Sequence, residues 1–198
     1  MDSRTRLVEA TQDLLWEQGY SATSPKDIMR RSGAGQGSMY HHFTNKQELA
    51  VVALECSAQS MRHDAEKLLA TDGSAYEIAT AYLRRQRDVL KGCRMGRMTF
   101  DADVLNTPEL IEPVKRTFVW LLEALTVLFE RGRDQGEFAA DIDARNLASL
   151  VVATVQGGYV LARATRDTDA FDAAVEGAAA LLHKATVPLT TEVSDHSE

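Results

Sequence analysis

The sequence predicts an all-α protein in which a small N-terminal three-helix unit precedes a larger helical body. The composition is rich in Ala, Leu, Glu and Arg, which have high helix propensities. Apolar residues recur at spacings of three and four, and Ser, Thr or Asn caps and glycines mark the ends of these segments. A length of 198 residues suits one domain, or a small domain joined to a larger one.

Three helices are predicted before residue 44. Residues 3–18 carry an apolar stripe typical of a helix. Ser24 then caps a second helix, with Pro25 at its first position and Gly33 at its end. A third helix follows over 36–42. Because the second helix is so short, we expect packing rather than propensity to stabilise it.

Longer helices are predicted in the rest of the chain. Asn45 caps one that reaches residue 69, and Ser74 caps one that reaches residue 90. Further helices are expected over 94–105, 107–134 (where Pro113 bends the helix or delays its start), 141–165 and 167–184. The predicted units are a helix-turn-helix domain at 1–45, a helical body at 46–185 and a disordered acidic tail at 186–198.

The net charge of −7 is unevenly distributed. Residues 1–50 hold six basic and six acidic side chains, so the whole negative excess lies beyond them. A polyanion responds to local charge, and total charge therefore does not exclude nucleic acid as a partner. The sequence has no nucleophile elbow, phosphate loop, metal-spaced cluster or paired-carboxylate motif. We therefore expect a binding protein rather than an enzyme, without a cofactor or metal.

The N-terminal segment lacks the apolar core of a signal peptide. The most apolar run, 147–162, is bracketed by Arg145 and Arg163 and is shorter than the ~20 residues that span a bilayer. We interpret it as a buried core or interface helix. Cys56 and Cys93 match no metal spacing. A cytoplasmic protein with reduced thiols and no membrane partner is expected.

The segment 34–50, AGQGSMYHHFTNKQELA, raises the main functional question. Two short helices joined by a glycine-containing turn have the form of a helix-turn-helix, whose second helix presents its N-terminal residues to base edges. These residues are Gln36, Gly37 and Ser38. Gln pairs with adenine, Ser with either base type, and glycine lets the backbone approach the groove.

The residues that follow are suited to phosphate contacts. Tyr40 and His41 lie on the same helix and can reach phosphate oxygens. Asn45 and Lys46 start the next helix, where backbone N–H groups and a cation attract an anion. A lysine at a helix N-terminus is electrostatically unfavourable without an anion, which favours a phosphate role for Lys46.

Other interpretations of this segment are less favoured. A metal site at the two adjacent histidines is disfavoured, because neighbouring residues on a helix diverge and no third ligand is near. A core position for Tyr40 remains open. Met39 and Phe43, four residues apart, are expected to face an apolar cluster with Leu14 and Ile28.

Residues 5–50 read TRLVEATQDLLWEQGYSATSPKDIMRRSGAGQGSMYHHFTNKQELA. This sequence resembles the DNA-binding domain of the tetracycline-repressor (TetR) family, without a gap over about residues 4–52. The resemblance implies a nine-helix homodimer that binds operator DNA, and a C-terminal body that binds a small effector, usually releasing the DNA. By position it implies base contacts from Gln36, Gly37 and Ser38, and phosphate contacts from Thr23, Ser24, Tyr40, His41 and Lys46.

Two departures from the family pattern keep a second class of function open. Many members carry Ser and Lys where this chain has Gly35 and Gln36, so the base preference is not carried over. The alternative is a helical ligand-binding protein, or a thiol-based redox or electrophile sensor, whose N-terminal unit does not read DNA.

Candidate effector residues in the body are chosen by type, since soft and bulky side chains suit an adaptable pocket for an apolar or aromatic effector. Cys93 follows Gly92 at a predicted helix start and is flanked by Arg94 and Arg97. A helix start and neighbouring cations favour a reactive thiolate, so an electrophilic effector is one hypothesis, and a structural cysteine is the alternative. The candidates are Met61, Tyr82, Cys93, Met95, Met98, Phe100, Trp120 and Tyr159.

Small residues in the last two long helices predict a homodimer. Gly157, Gly158, Ala162 and Gly177 allow close approach of helices, as in a four-helix interface between symmetry mates. A well-packed monomer core is the alternative. A dimer is favoured because the N-terminal unit is too small to bind DNA tightly alone.

Overall fold

The computed structural model describes residues 2–187, and the predicted all-α fold is confirmed. Within these residues there are ten helices, one more than the family resemblance implies, and no β-strand. The helices are α1 (Ser3–Gln18), α2 (Pro25–Ser32), α3 (Gln36–His42), α4 (Lys46–Leu69), α5 (Ala75–Arg84), α6 (Arg94–Met98), α7 (Ala102–Leu105), α8 (Pro108–Asp134), α9 (Ala144–Thr165) and α10 (Asp169–Ala185).

The predicted caps mark the starts of three helices. Ser24 and Ser74 each form a capping box, in which the serine side chain and the acidic residue three positions later exchange hydrogen bonds with backbone N–H groups. Asn45 accepts a hydrogen bond from Glu48 N at 2.9 Å. The Glu48 carboxylate accepts from Thr44 N, one residue before the cap. Each of these contacts joins residues three or four positions apart, so the local sequence is sufficient to specify the helix starts.

The prediction that the helix capped by Ser74 reaches residue 90 is wrong, because α5 ends at Arg84. The Arg87 guanidinium folds back and donates to the carbonyl groups of Tyr82, Leu83 and Arg85. These carbonyl groups would otherwise accept the hydrogen bonds that continue the helix. The segment 85–93 is therefore irregular and brings Gly92 and Cys93 to the start of α6.

The predicted helix over 94–105 is divided into α6 and α7. The Thr99 hydroxyl donates to the carbonyl of Gly96 at 2.7 Å, at the end of α6. Asp101 then caps α7 by accepting from the backbone N–H groups of Asp103 and Val104. By contrast, α8 continues through Pro113 without interruption.

Buried side chains form two apolar clusters. One joins α5, α8, α9 and α10 and includes Leu83, Phe129 and Val151. The other joins α1, α2 and α3 to α4, α6, α7 and the start of α8, and includes Ile28 and Met95. The second cluster crosses residue 45, so the N-terminal unit shares its core with the helices that follow. Helices α4 and α6 therefore pack directly against the N-terminal unit.

Helix α9 is long and apolar enough to span a membrane by length and composition alone, with a mean hydropathy of 1.3. It packs between α8 and α10 in the body, as the interpretation of this run as a core or interface helix expects. After α10, Thr186 pairs with Phe138, and Val187 N donates to the Glu137 carbonyl at 2.8 Å. The predicted disorder of the acidic tail lies, from residue 188 on, outside the described residues.

Candidate nucleic-acid interface and effector region

The N-terminal residues of α3 face solvent. Gln36 and Gly37 are exposed and Ser38 is half-buried. No side chain caps this helix, because its N-cap is Gly35. A Cβ atom on Gly37 would meet no other atom within 4 Å, so packing does not require glycine there. This surface is accessible to base edges, as a helix-turn-helix requires.

Two apolar side chains set the orientation of α3. Met39 is 0% exposed and Phe43 is 2% exposed, and both lie in the cluster that contains Leu14 and Ile28, as predicted. Tyr40, the residue after Met39, is 50% exposed. The interpretation of Tyr40 as a core residue is therefore wrong, and its side chain is available for an external contact.

The C-terminal end of α3 lies against the start of α1. His42 Nε2 lies 2.9 Å from the hydroxyl of Ser3, while His41 is exposed. The guanidinium of Arg4 lies 5.4 Å from the Phe43 ring, beside α3. The sequence did not single out Arg4, because only tertiary packing brings it to this surface. Within residues 2–187, no three His, Cys, Asp or Glu side chains are placed to hold a metal ion.

The ammonium group of Lys46 points into the turn between α1 and α2. It donates to the carbonyl groups of Tyr20 and Thr23, each at 3.1 Å, and lies 3.8 Å from the centre of the Tyr20 ring. Burial lowers the pKa of Lys46, and the carboxylates of Asp103 and Asp101 offset part of this effect. The protein itself supplies these acceptors, so the position of Lys46 at a helix start does not by itself require a phosphate.

Thr23 and Ser24 also make internal hydrogen bonds. Thr23 is 2% exposed, and its hydroxyl donates to the Gly19 carbonyl at 2.6 Å. The Ser24 hydroxyl lies 2.6 Å from the Asp27 carboxylate as part of the cap of α2. Thr23, Ser24 and Lys46 thus hold the turn before α2 together. Contact between these three residues and DNA phosphates stays a prediction.

Two carboxylates at the start of α7 bind this turn to the body. Asp101 accepts hydrogen bonds from Ser21 N at 2.8 Å and from the Ser21 hydroxyl at 2.5 Å. Asp103 lies 2.8 Å from the same hydroxyl, whose single proton serves one carboxylate at a time. Burial raises the pKa of Asp101, but the hydrogen bonds from Ser21, Val104 and Tyr20 together outweigh this effect, so the pKa is lowered overall.

A second contact joins α1 to the segment before α6. Trp16 Nε1 donates to the Gly92 carbonyl at 2.9 Å. The Arg94 guanidinium and the Lys91 ammonium lie 4.0 Å and 4.6 Å from the Trp16 ring. Two such cation–π contacts stabilise the position of the indole. The N-terminal unit is therefore held to the body near both ends of α6.

Three of the predicted effector residues belong to the core of the body. Tyr82 and Tyr159 are 3% and 9% exposed, and Cys93 packs against the same cluster. The Arg87 guanidinium lies 5.3 Å from the Tyr82 ring. Burial raises the pKa of Tyr82 and raises the pKa of Tyr159 to about 12. Both phenols therefore stay neutral at physiological pH.

Four of the other five predicted effector residues lie outside this cluster, and Trp120 packs against it as Cys93 does. Met95 and Met98 are fully buried in the second cluster, against which the partly buried Met61 packs. Trp120 lines a cleft of about 220 Å³ between α4 and α8. Phe100 is 77% exposed. Among the described residues the eight candidates are therefore spread over both clusters and the surface, and their contact with an effector stays a prediction.

Cys93 is the N-cap of α6. Its Sγ accepts a hydrogen bond from Gly96 N at 3.2 Å, and the residue is half-buried. Of the arginines that flank it in sequence, Arg94 stacks on Trp16, and Arg97 lines a separate pocket. The reactivity of this thiol stays a prediction.

A helix-turn-helix with an exposed second helix, continuous through α4 with an all-helical body, defines a class of helical DNA-binding regulators. Comparison with protein families identifies the particular one. Residues 7–53 match the family model described as bacterial regulatory proteins, tetR family, and residues 73–178 match the tetracyclin repressor-like C-terminal domain. The chain belongs to the TetR family and is a helix-turn-helix transcriptional regulator.

Individual relatives agree with this assignment. The chain is 24% identical to the uncharacterized HTH-type transcriptional regulator YxaF of Bacillus subtilis, over 84% of this chain and 87% of that protein. The HTH-type transcriptional repressor DhaR of Mycobacterium sp. (strain GP1) is 22% identical, over 98% and 97%. Among solved structures, a TetR transcriptional regulator from Chloroflexus aurantiacus has a TM-score of 0.83 and 27% identity, covering 93% of this chain and 96% of that one. All three are named as transcriptional regulators or repressors.

Proposed function

We propose that this protein is a homodimeric repressor that binds a palindromic operator and releases it when a small apolar or aromatic molecule binds the body. The observation that carries the proposal is the exposed surface of α3, where Gln36 and Ser38 can reach base edges. Tyr40, His41 and Lys46 are proposed phosphate contacts. Such a regulator acts in the cytoplasm, where bacterial DNA lies.

The outer faces of α9 and α10 support a dimer. Leu161 and Leu181 are 51% and 57% exposed, and Ala153 is exposed on the same side of α9 as Leu161. A Cβ atom on Gly157 or Gly177 would meet no other atom of the protomer within 4 Å. Small and apolar residues exposed along two adjacent helices suit close packing against a symmetry mate. Each protomer would place one α3 in a major groove, with the two about 34 Å apart.

Two of the small residues expected at the dimer interface lie within the protomer. A Cβ atom on Gly158 would come within 2.8 Å of the Phe171 ring, because α9 and α10 approach closely there. Ala162 is 0% exposed. For Gly158 and Ala162 the alternative of a well-packed protomer core is the correct one, while Gly157 and Gly177 remain candidates for the dimer interface.

Fluorescence anisotropy with duplex DNA that flanks the gene of this protein tests the function. The wild-type protein is expected to bind this duplex more tightly than a scrambled one. Gln36→Ala should weaken the binding free energy for the gene-flanking duplex by about 1–3 kcal/mol and should change that for the scrambled duplex little. Gln86→Ala, at an exposed glutamine in the body, is the matched control. Equal loss on every sequence would contradict the base contact, and a wild-type protein that binds neither duplex would contradict the function.

Lys46→Ala separates a phosphate contact from a purely internal role. A phosphate contact predicts weaker binding to all sequences and a slope of log K against log salt that is shallower by about one unit. Salt series on the wild type and the variant, with urea unfolding of both, make the measurement. An unchanged slope together with a lower free energy of unfolding would assign Lys46 to the α1–α2 turn alone.

A further inference from the structure

A pocket of about 380 Å³ lies between the N-terminal unit and the body, within the size range of small-molecule sites. None of Tyr82, Cys93 and Tyr159 lines it. We term it the junction pocket. Its lining residues are Gln18 and Gly19 at the end of α1, Arg97 in α6, Phe100 and Asp101 before α7, and Val160 and Arg163 in α9.

Two arginines in the junction pocket are not neutralised by an ion pair. Among the described residues, neither Arg97 nor Arg163 forms a salt bridge. The Nε atom of Arg97 is buried and has no hydrogen-bond partner. Burial lowers the pKa of Arg97, the nearby charge of Arg163 lowers it further, and Asp101 offsets only part of this. An anion bound beside the two guanidinium groups would offset their mutual repulsion.

The rest of the lining indicates what the anion carries. Phe100 is 77% exposed and Val160 is 50% exposed, although both side chains are apolar. They line the same pocket as the two arginines. A planar apolar group would remove these side chains from water, while a guanidinium fork pairs most strongly with a carboxylate or phosphate. The combination suits an aromatic ring that bears a carboxylate.

We propose that the junction pocket is an effector site for an aromatic carboxylate. The carboxylate pairs with Arg97 and Arg163, and the ring packs on Phe100 and Val160. The control of DNA binding by this ligand rests on the proposed function, whereas the binding itself does not.

The junction pocket adjoins the hydrogen bonds that hold the α1–α2 turn. Asp101 lines the pocket and accepts from both the backbone N–H and the hydroxyl of Ser21. Gly19 has a φ of 88°, and a Cβ atom there would come within 3.0 Å of Asp101 Oδ2, so turn and carboxylate are closely packed. A carboxylate bound to Arg97 and Arg163 places a second negative charge near Asp101 and repels it. The repulsion weakens the hydrogen bonds between Ser21 and Asp101 and so shifts the relative populations of helix-turn-helix orientations.

Isothermal titration calorimetry with 1-naphthoate tests the site, and 1-naphthamide serves as the neutral analogue. The wild-type protein should bind the acid at least about tenfold more tightly than the amide. Arg97→Gln and Arg163→Gln should each weaken binding of the acid by about tenfold or more. Arg145→Gln, at an exposed arginine of α9 outside the pocket, should bind as the wild type does. Phe100→Ala removes an exposed side chain, should not impair folding, and should also weaken binding of 1-naphthoate.

The proposed site would be contradicted if the wild type bound 1-naphthoate and 1-naphthamide equally tightly, or if all four variants bound 1-naphthoate with the same affinity. It would also be contradicted if millimolar 1-naphthoate produced no binding heat with the wild type. DNA binding is measured on the same samples by anisotropy. If the wild type binds no DNA even without ligand, the proposed function is contradicted, whereas the proposed binding site is not. If the wild type binds both DNA and 1-naphthoate, an unchanged DNA affinity would overturn the effector role.

Discussion

The N-terminal unit and the C-terminal body differ in how their functional residues relate to the sequence. In the N-terminal unit, Gln36, Gly37 and Ser38 are consecutive, follow a glycine turn and begin a helix, so local rules place them together at the N-terminal end of that helix. In the body, candidates chosen by residue type come from several helices, and tertiary packing disperses them. A DNA-contacting surface on one helix can be predicted from the local sequence, whereas a pocket is formed by residues from several helices that only the folded protein brings together.

The largest expected effect tests this difference within α3 itself. Phe43→Ala removes a buried ring and should lower the free energy of unfolding by about 3–5 kcal/mol. Tyr40→Ala, on the exposed side, should change it by less than about 0.5 kcal/mol while weakening DNA binding. Urea unfolding and DNA anisotropy on both variants make the comparison. Similar losses of stability would mean that α3 has no separate anchoring and reading sides.

A second effect tests the outer face of the body. Leu161→Glu places a charge on the exposed side of α9 and should dissociate the dimer, which lowers operator affinity by about 100-fold or more through loss of the second half-site. Val127→Glu, at a 64% exposed position of α8, should leave the dimer intact. Analytical ultracentrifugation and DNA anisotropy make the measurement. A dimer lost only in Val127→Glu would place the interface on α8 instead.

The smallest effect concerns the buried aromatic cluster of the body. Burial raises the pKa of Tyr159 from 10.0 to about 12, so the folded state holds this proton after the unfolded chain has released it. The stabilisation is complete below about pH 10 and is lost as the pH rises toward 12. By pH 11 the wild type should therefore lose about 1 kcal/mol relative to Tyr159→Phe. Urea unfolding of both proteins from pH 8 to 11 measures this difference in the free energy of unfolding. If the two free energies changed with pH in parallel, Tyr159 would ionise as freely in the folded protein as in the unfolded chain.

The hydrogen-bond partners of Lys46 could not be predicted from the sequence. A cation at a helix start suggested a missing anion, yet the carbonyl groups of Tyr20 and Thr23 accept its hydrogen bonds. These residues lie more than twenty positions earlier in the chain, and no local pattern predicts their approach. The same limit applies to Arg4, which tertiary packing brings beside the end of α3.

The sequence by itself determined the helical class, the starts of α2, α4 and α5, the outward face of α3 and the family. Each depends on side chains within a few residues of one another, or on a continuous motif. Tertiary structure alone decided that Asp101 holds the turn at Ser21 and that Arg97 and Arg163 line one pocket. These groups are distant in the chain, and their energies depend on burial and on charges that only the folded protein brings together.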